Sequence, residues 1–310
     1  MKILFVSSGN SDKGISPIIV AQGNSLVNKD VEIDYYTIKG RGIIGYLRNV
    51  IPLRKDYIKG GYDLCHAHFS LTAFVASLAG IKPLVVSLMG WNVEQPILRW
   101  FIRFFCKYSW SSCIVKSEKM KSALQLDNLE VIPNGIDLDL FKPLEKKECV
   151  VKLGWDSMKV NILFAGNPKR PIKNYPLAEG AINRLNRPDI VVHTLGGVEH
   201  SKMPLLYNGS DIVLLTSIAE GSPNVIKEAM ACNCIIVSTD VGDVAERFDD
   251  AAGCFLTNQT VEDIVEKLQL ALEYKGDVDT RSKVLDLDSK IIAQKIVDIY
   301  TNALMKTERH

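Results

Sequence analysis

Short apolar runs rich in β-branched residues alternate with amphipathic segments along the whole of this 310-residue chain. In the first half the runs are Ile3–Val6, Val31–Tyr36, Tyr62–His66, Leu84–Leu88, Cys113–Lys116 and Glu130–Ile132. In the second they are Val160–Ala165, Ile190–Thr194, Asp211–Leu215, Cys234–Ser238 and Cys254–Leu256. Each has about the length of a buried strand. The segments between them, such as Ser16–Lys29, Thr72–Ala79, Asn174–Asn186, Pro223–Ala231 and Val261–Tyr274, are long enough to be crossover helices. Strand–helix–strand repetition implies parallel sheets covered by helices on both faces.

The pattern runs twice, with a break near Asn134–Cys149 that carries Pro133, Gly135, Pro143 and the charged cluster Glu145–Glu148. Such a stretch suits a linker. The expected fold class is therefore α/β, with two doubly wound, Rossmann-like domains over residues 1–145 and 146–289. Ser289–Met305 has helical periodicity; a C-terminal helix over about 290–310 could pack back on the first domain, which periodicity alone does not fix. Ligands of doubly wound sheets bind beyond the carboxyl ends of the strands. Two facing domains would place those ends on one central cleft.

Composition excludes several classes. Apolar residues make up 47% and charged residues 24%, ordinary globular values that argue against disorder. No apolar run approaches the roughly 18 residues that span a bilayer. The opening KILFVSS is too short in apolar residues for a signal peptide and reads as a first strand. Seven cysteines without a CxxC pair suggest reduced packing thiols in a cytoplasmic protein. A net charge of +1 argues against a nucleic-acid partner, yet it hides an asymmetry. Residues 1–121 hold 16 basic and 8 acidic side chains, and the remainder is net acidic. The basic half suits an anionic partner or reflects clustered solvated lysines.

The most informative segment is Glu220–Glu228, EGSPNVIKE, which follows the run DIVLLTS. Ser222 suits an N-cap and Pro223 a first helical turn. Asn224, Val225 and Ile226 would then offer backbone N–H groups at a helix N-terminus, where the dipole favours an anion. Glu220 precedes the helix, and Glu228 lies five residues beyond Pro223, about 7.5 Å along the axis. Two carboxylates bracketing an anion site suit a ligand with phosphates in the middle and a hydroxylated ring at each end. A nucleoside diphosphate sugar has that shape. The spacing is equally compatible with two solvated glutamates around an ordinary helix start.

The wider stretch EGSPNVIKEAMACNCIIVSTDVGDVAE resembles the nucleotide-sugar site of the family 4 retaining glycosyltransferases (glycosyltransferase group 1), which have the GT-B fold. Glu220 and Glu228 match the family's E-x7-E motif, and Gly221, Pro223 and Asn224 match a G-x-P-N variant of its loop. Val131–Pro143 (VIPNGIDLDLFKP) resembles the interdomain segment, and DLCHAH the third N-terminal strand. The resemblance runs over nearly the whole chain in order. It implies that Glu228 holds the ribose hydroxyls, while Glu220 meets the transferred sugar near the reacting carbon. It also implies that Ser222, Asn224 and Val225 line the donor site. The family's diphosphate-clamping Lys falls on Lys173. Its Arg directly after the glycine is replaced by Asn167, leaving Arg170 or Lys169 to take that role. Two cations on a diphosphate stabilise the charge that builds on a departing phosphate.

The first loop, SGNSDKGIS, is neither a P-loop, since Ile15 stands where the Lys would be, nor a GxGxxG turn. A glycine-rich turn opening a helix still lets backbone approach a phosphate. In the resembled family this loop sits over the donor diphosphate and the acceptor, which implies Gly14 as a donor-side and Ser16 as an acceptor-side candidate. His66 and His68 share one face of a strand. The first reads as packed and the second, nearer the strand end, as an acceptor-side residue. Many family members have a His before Gly90, where this chain has Met89, so Trp91 and Asn92 are the acceptor-side candidates there. The DxD triplets Asp137/Asp139, Asp277/Asp279 and Asp286/Asp288 do not follow strands as a metal site would, and no metal or other cofactor is expected. Ile97–Trp110 is aromatic and basic, with Arg99, Arg103 and Lys107 spaced every four residues. It fits a helix lying on an anionic membrane surface, or a surface helix whose aromatics are core.

The expected activity is transfer of a sugar from a nucleoside diphosphate sugar to a glycan or lipid-linked acceptor in bacterial-type polysaccharide synthesis. The expected location is the cytoplasm or the inner face of the membrane as a peripheral protein. The alternatives are a nucleotide-sugar epimerase of the same fold and a catalytically silent subunit that binds sugar nucleotide.

Overall fold

The computed structural model of the chain describes residues 1–10, 14–27, 29–90, 93 and 95–308. It divides into two compact units: Met1–Gly135 together with Ser289–His310, and Ile136–Asp288. Among the described residues the strands form one parallel sheet of six and another of five.

The first unit runs β1 (Lys2–Ser8), α1 (Pro17–Val27), β2 (Glu32–Ile38), α2 (Gly42–Leu47), α3 (Val50–Gly60), β3 (Leu64–His68) and α4 (Ser70–Leu78). It continues through β4 (Leu84–Ser87), α5 (Pro96–Tyr108), β5 (Ser112–Val115), α6 (Glu118–Leu124) and β6 (Leu129–Val131). Its strand order is β2-β1-β3-β4-β5-β6. Ile3, Leu4, Phe5 and Val6 of β1 are completely buried, because the strand has a neighbour on each side and cover on both faces. That double cover explains why the runs read as continuous rather than alternating.

The second unit runs α7 (Lys146–Leu153), β7 (Val160–Phe164), α8 (Tyr175–Leu185), β8 (Ile190–Thr194), α9 (Met203–Gly209) and β9 (Ile212–Leu215). It then adds α10 (Asn224–Ala231), β10 (Ile236–Thr239), α11 (Val244–Phe248), β11 (Cys254–Thr257) and α12 (Val261–Glu273). Its order is β11-β10-β9-β7-β8. The chain steps outward from β7 to β8 and returns to β9 on the other flank of β7. The two loops that leave β7 and β9 therefore diverge above a point where the strand order reverses. A crevice opens at such a point, and ligands of doubly wound sheets enter there.

The last helix, α13 (Ser289–Glu308), belongs to the first unit. Its Tyr300 is completely buried, and its hydroxyl lies 2.6 Å from His66 Nδ1. The other ring nitrogen of His66 lies 2.8 Å from Ser87 Oγ. Burial, then the neighbouring His68 and Lys116, holds His66 well below the usual imidazole range, so its ring is a neutral hydrogen-bonding strut. Tyr300→Phe strands one buried nitrogen. It should lower unfolding stability by about 1–3 kcal/mol in a urea titration, without loss of helical circular dichroism.

Candidate active site

The loop after β7 carries Asn167, Pro168, Lys169 and Arg170, and closes with a single 3-10 turn, Pro171–Lys173. Lys173 is 8% exposed, and its stem lies across Gly166, where an added Cβ would come within 3.0 Å of it. The glycine leaves room for the stem to reach its partner. The loop after β9 is laced to this one by backbone and side chain. Ile218 N donates to Ile172 O at 2.9 Å, and Thr216 Oγ1 donates to the carbonyls of Lys173 and Asn174. Lys173 Nζ ends 2.6 Å from Glu220 Oε1, which also accepts from Ser217 Oγ at 3.0 Å. The Lys173 and Glu220 side chains are 10% and 22% exposed, so the pair is sheltered but reachable.

Helix α10 starts one residue later than the sequence suggests. Pro223 is its N-cap residue, and Ser222 caps nothing. The Ser222 hydroxyl instead donates to Asp243 Oδ2 at 2.9 Å and accepts from Lys227 Nζ. Lys227 and Asp243 form an ion pair at 3.0 Å with side-chain exposures of 1% and 3%. A desolvated carboxylate needs every donor it can recruit, which explains why the hydroxyl turns away from the helix. Burial lowers the Lys227 ammonium and Asp243 pulls it back up. The N–H of Ile226, expected to be available to an anion, instead donates to Pro223 O at 3.2 Å. Gly242, at φ +61°, sits against this loop. A Cβ there would lie 2.8 Å from Gly221 O, so the turn after β10 can close on the loop only as glycine.

Glu228, one turn into α10, is 6% exposed. Its two oxygens accept from separate donors, Tyr207 Oη at 2.9 Å and His200 Nε2 at 3.1 Å. The hydrogen bond to Glu228 raises the His200 pKa against a smaller opposing effect of burial, and buried Tyr207 is pushed well above the phenol range. Each carboxylate oxygen has two lone pairs, so Glu228 keeps acceptor capacity for a ligand hydroxyl.

Lys173 and Glu220 are thus brought together, and Glu228, Ser222, Asn224 and Val225 share the segment that follows, all in the second unit. Lys169 and Arg170 are exposed on the β7 loop and make no ion pair among the described residues. Gly14 and Ser16 belong to the first unit. Gly14 has φ +71° with open space where a Cβ would be, and Ser16 O accepts from Ile19 and Val20 N–H at the start of α1. His68 does not face open space as expected. It is completely buried, its ring stacked at 4.3 Å on His66 and tilted against Phe5, and burial pushes its pKa down to about 3. Trp91 and Asn92 lie outside the described residues. Sequence reasoning missed His200, Tyr207, Ser217 and the Lys227–Asp243 pair. Lys227, next to Ile226 in the turn VIKEAM, was the available signal for the last.

Two doubly wound units in one chain, with Glu220 ahead of α10 paired to Lys173 of the β7 loop at the reversal of the second sheet, match the GT-B class of glycosyltransferases. The sucrose-phosphate synthase structure from Thermosynechococcus elongatus superposes with a TM-score of 0.86 at 15% identity, covering 98% of this chain and 99% of that one. A family model described as glycosyl transferases group 1 matches residues 148–273, and one described as glycosyltransferase family 4 matches residues 11–140. The chain belongs to this family of group 1 glycosyltransferases. It is 24% identical over 305 residues to an Escherichia coli UDP-Gal:alpha-D-GlcNAc-diphosphoundecaprenol alpha-1,3-galactosyltransferase, covering 83% of this chain and 76% of that protein. It is 30% identical over 122 residues to the GPI3 subunit of phosphatidylinositol N-acetylglucosaminyltransferase from Saccharomyces cerevisiae, with 36% of this chain matched. The match spans only 26% of that yeast protein.

Two outcomes follow from the buried charges. Lys227→Met leaves Asp243 buried without its cation and should cost about 3–5 kcal/mol in urea unfolding, most of it regained when Asp243→Asn is added. His200 has a folded-state pKa above its unfolded one, so its bond to Glu228 stabilises fully below the free imidazole value of about 6.5. That contribution is lost as pH rises through the elevated value. The melting temperature of His200→Gln should therefore trail the parent most in acid and converge with it in alkali.

Proposed function

We propose that the chain is a retaining glycosyltransferase that takes its sugar from a nucleoside diphosphate donor bound in the second unit. The observation that carries this reading is the Lys173–Glu220 pair at the strand reversal, one loop away from the start of α10. A diphosphate arriving there would exchange the carboxylate partner of Lys173 for phosphate oxygens and free Glu220 to accept sugar hydroxyls. Arg170 or Lys169, both exposed on the same loop, would add the second cation. Glu228 would take the ribose hydroxyls on its remaining lone pairs.

The chemistry is then mostly positioning and charge stabilisation. The bond from the anomeric carbon to the departing phosphate oxygen breaks, and the acceptor oxygen bonds to that carbon on the same face. The acceptor proton passes to the departing phosphate. In this reading Lys173, with Arg170 or Lys169, would meet the diphosphate in the place of a metal. Among the described residues no group of three or more metal-ligating side chains is gathered. Of the DxD carboxylates, Asp137 accepts from the Asp139 and Leu140 N–H groups and Asp286 pairs with Arg247. The acceptor we assign is a glycan or lipid-linked saccharide of cell-surface polysaccharide synthesis, by analogy with the Escherichia coli relative. Gly14 and Ser16 are the first-unit residues we assign to donor and acceptor. No described helix is long and apolar enough to cross a membrane, which fits a cytoplasmic or peripheral enzyme.

Of UDP, GDP, ADP and CDP, at least one should raise the melting temperature, by about 2.7 kcal/mol of stabilisation at a hundredfold excess over Kd. Glu228→Gln should weaken that shift. Lys173→Ala should lower turnover roughly 100- to 1000-fold in the presence of EDTA while leaving the fold intact. No shift with any nucleotide would remove the donor reading.

A further inference from the structure

We propose that helix α5 seats the first unit on an anionic lipid bilayer. The helix is 13 residues long, or about 20 Å. Only Ile102 and Cys106 are fully buried in it. Trp100, Phe104 and Tyr108, four residues apart, form one outward stripe with exposures of 62%, 47% and 62%. Trp100 and Phe104 stack at 6.1 Å and Phe104 meets Tyr108 at 5.1 Å, so these rings pack on one another and not on the core. A soluble surface rarely carries so continuous an aromatic patch without a use.

A second stripe runs beside the first, one residue back: Arg99, Arg103 and Lys107. Together with Trp100 and Phe104 these cations line a groove of about 840 Å³, closed on its far side by the turn Gln125–Asn128. Asp127 is the one acid in its lining. The helix itself contains no acidic residue. Aromatic rings that sit at headgroup depth, flanked by cations that meet phosphates, are the chemistry of a helix lying in the bilayer interface. A two-fold contact between copies through this face would instead set three cations against the same three. The excess of basic over acidic side chains in residues 1–121 adds long-range attraction toward the same kind of surface.

The inference stands apart from the donor chemistry and is tested separately. The full chain is floated with vesicles of phosphatidylcholine alone and of a phosphatidylcholine–phosphatidylglycerol mixture. It should bind the mixed vesicles, release them at high salt, and show a blue-shifted tryptophan emission that Trp100→Phe removes. Arg99→Gln/Arg103→Gln/Lys107→Gln should weaken binding about 100-fold. Arg99 also donates to Ala123 O at 3.4 Å. Arg103→Gln/Lys107→Gln spares that bond and should weaken binding about tenfold. Nucleotide-induced melting shifts should be the same in all variants. Equal binding to both vesicle types, or to neither, overturns the proposal. So does unchanged binding by the triple variant, or a dimer in sedimentation that the α5 substitutions dissociate.

Discussion

Lys173 and Glu220 meet because β7 and β9 are neighbours, although the chain visits β8 between them. A parallel sheet forces every connection to cross a face, so all strands end at the same edge and all outgoing loops gather there. Where successive crossovers go to opposite faces, the two loops part and leave a crevice. The backbone bond from Ile218 to Ile172 and the Thr216 hydroxyl bonds then fix how far they part. The cation and carboxylate held at that gap are a product of topology as much as of side-chain chemistry.

Two of the second unit's ion pairs differ in character. Lys227–Asp243 is almost wholly removed from water; it ties α10 to the turn after β10, and Ser222 ties the segment before α10 to the same carboxylate. Its desolvation cost is offset only by good geometry and added hydrogen bonds, which makes it a fixed part of the scaffold. Lys173–Glu220 keeps partial access to solvent. Its members can therefore change partners at lower cost than the buried pair.

Much of this was legible before any coordinates. Strand runs, the doubled pattern and the existence of the last helix follow from hydrophobic periodicity, which is a local property; the return of that helix to the first unit does not. The Glu220–Glu228 spacing was readable because a helix converts sequence distance into axial distance. The wider resemblance supplied the donor chemistry. The start of α10 was misplaced because Ser222 is a good cap in isolation, and its competing partner Asp243 lies on another loop, 21 residues away. The open position assigned to His68 failed for a related reason: strand position cannot report what stacks on a ring. His200 and Tyr207 were invisible because their link to Glu228 is made only by packing of α9 and its preceding turn against α10.

The second unit is an insertion in the first. Its two ends lie side by side, with Ile136 bridged in parallel to Asp288 and Ile136 N donating to Leu287 O at 2.8 Å. Just outside, Gly135 lies so close to Ser289 that an added Cβ would come within 2.8 Å of its Cα. During synthesis from the amino end, the inserted unit is therefore the first to have all of its residues out of the ribosome. The unit that begins the protein must wait with His66 lacking its Tyr300 partner until the last helix emerges. A chain truncated after Asp288 should accordingly carry a finished second unit on an unfinished first one, the reverse of the order in which the two begin in the sequence.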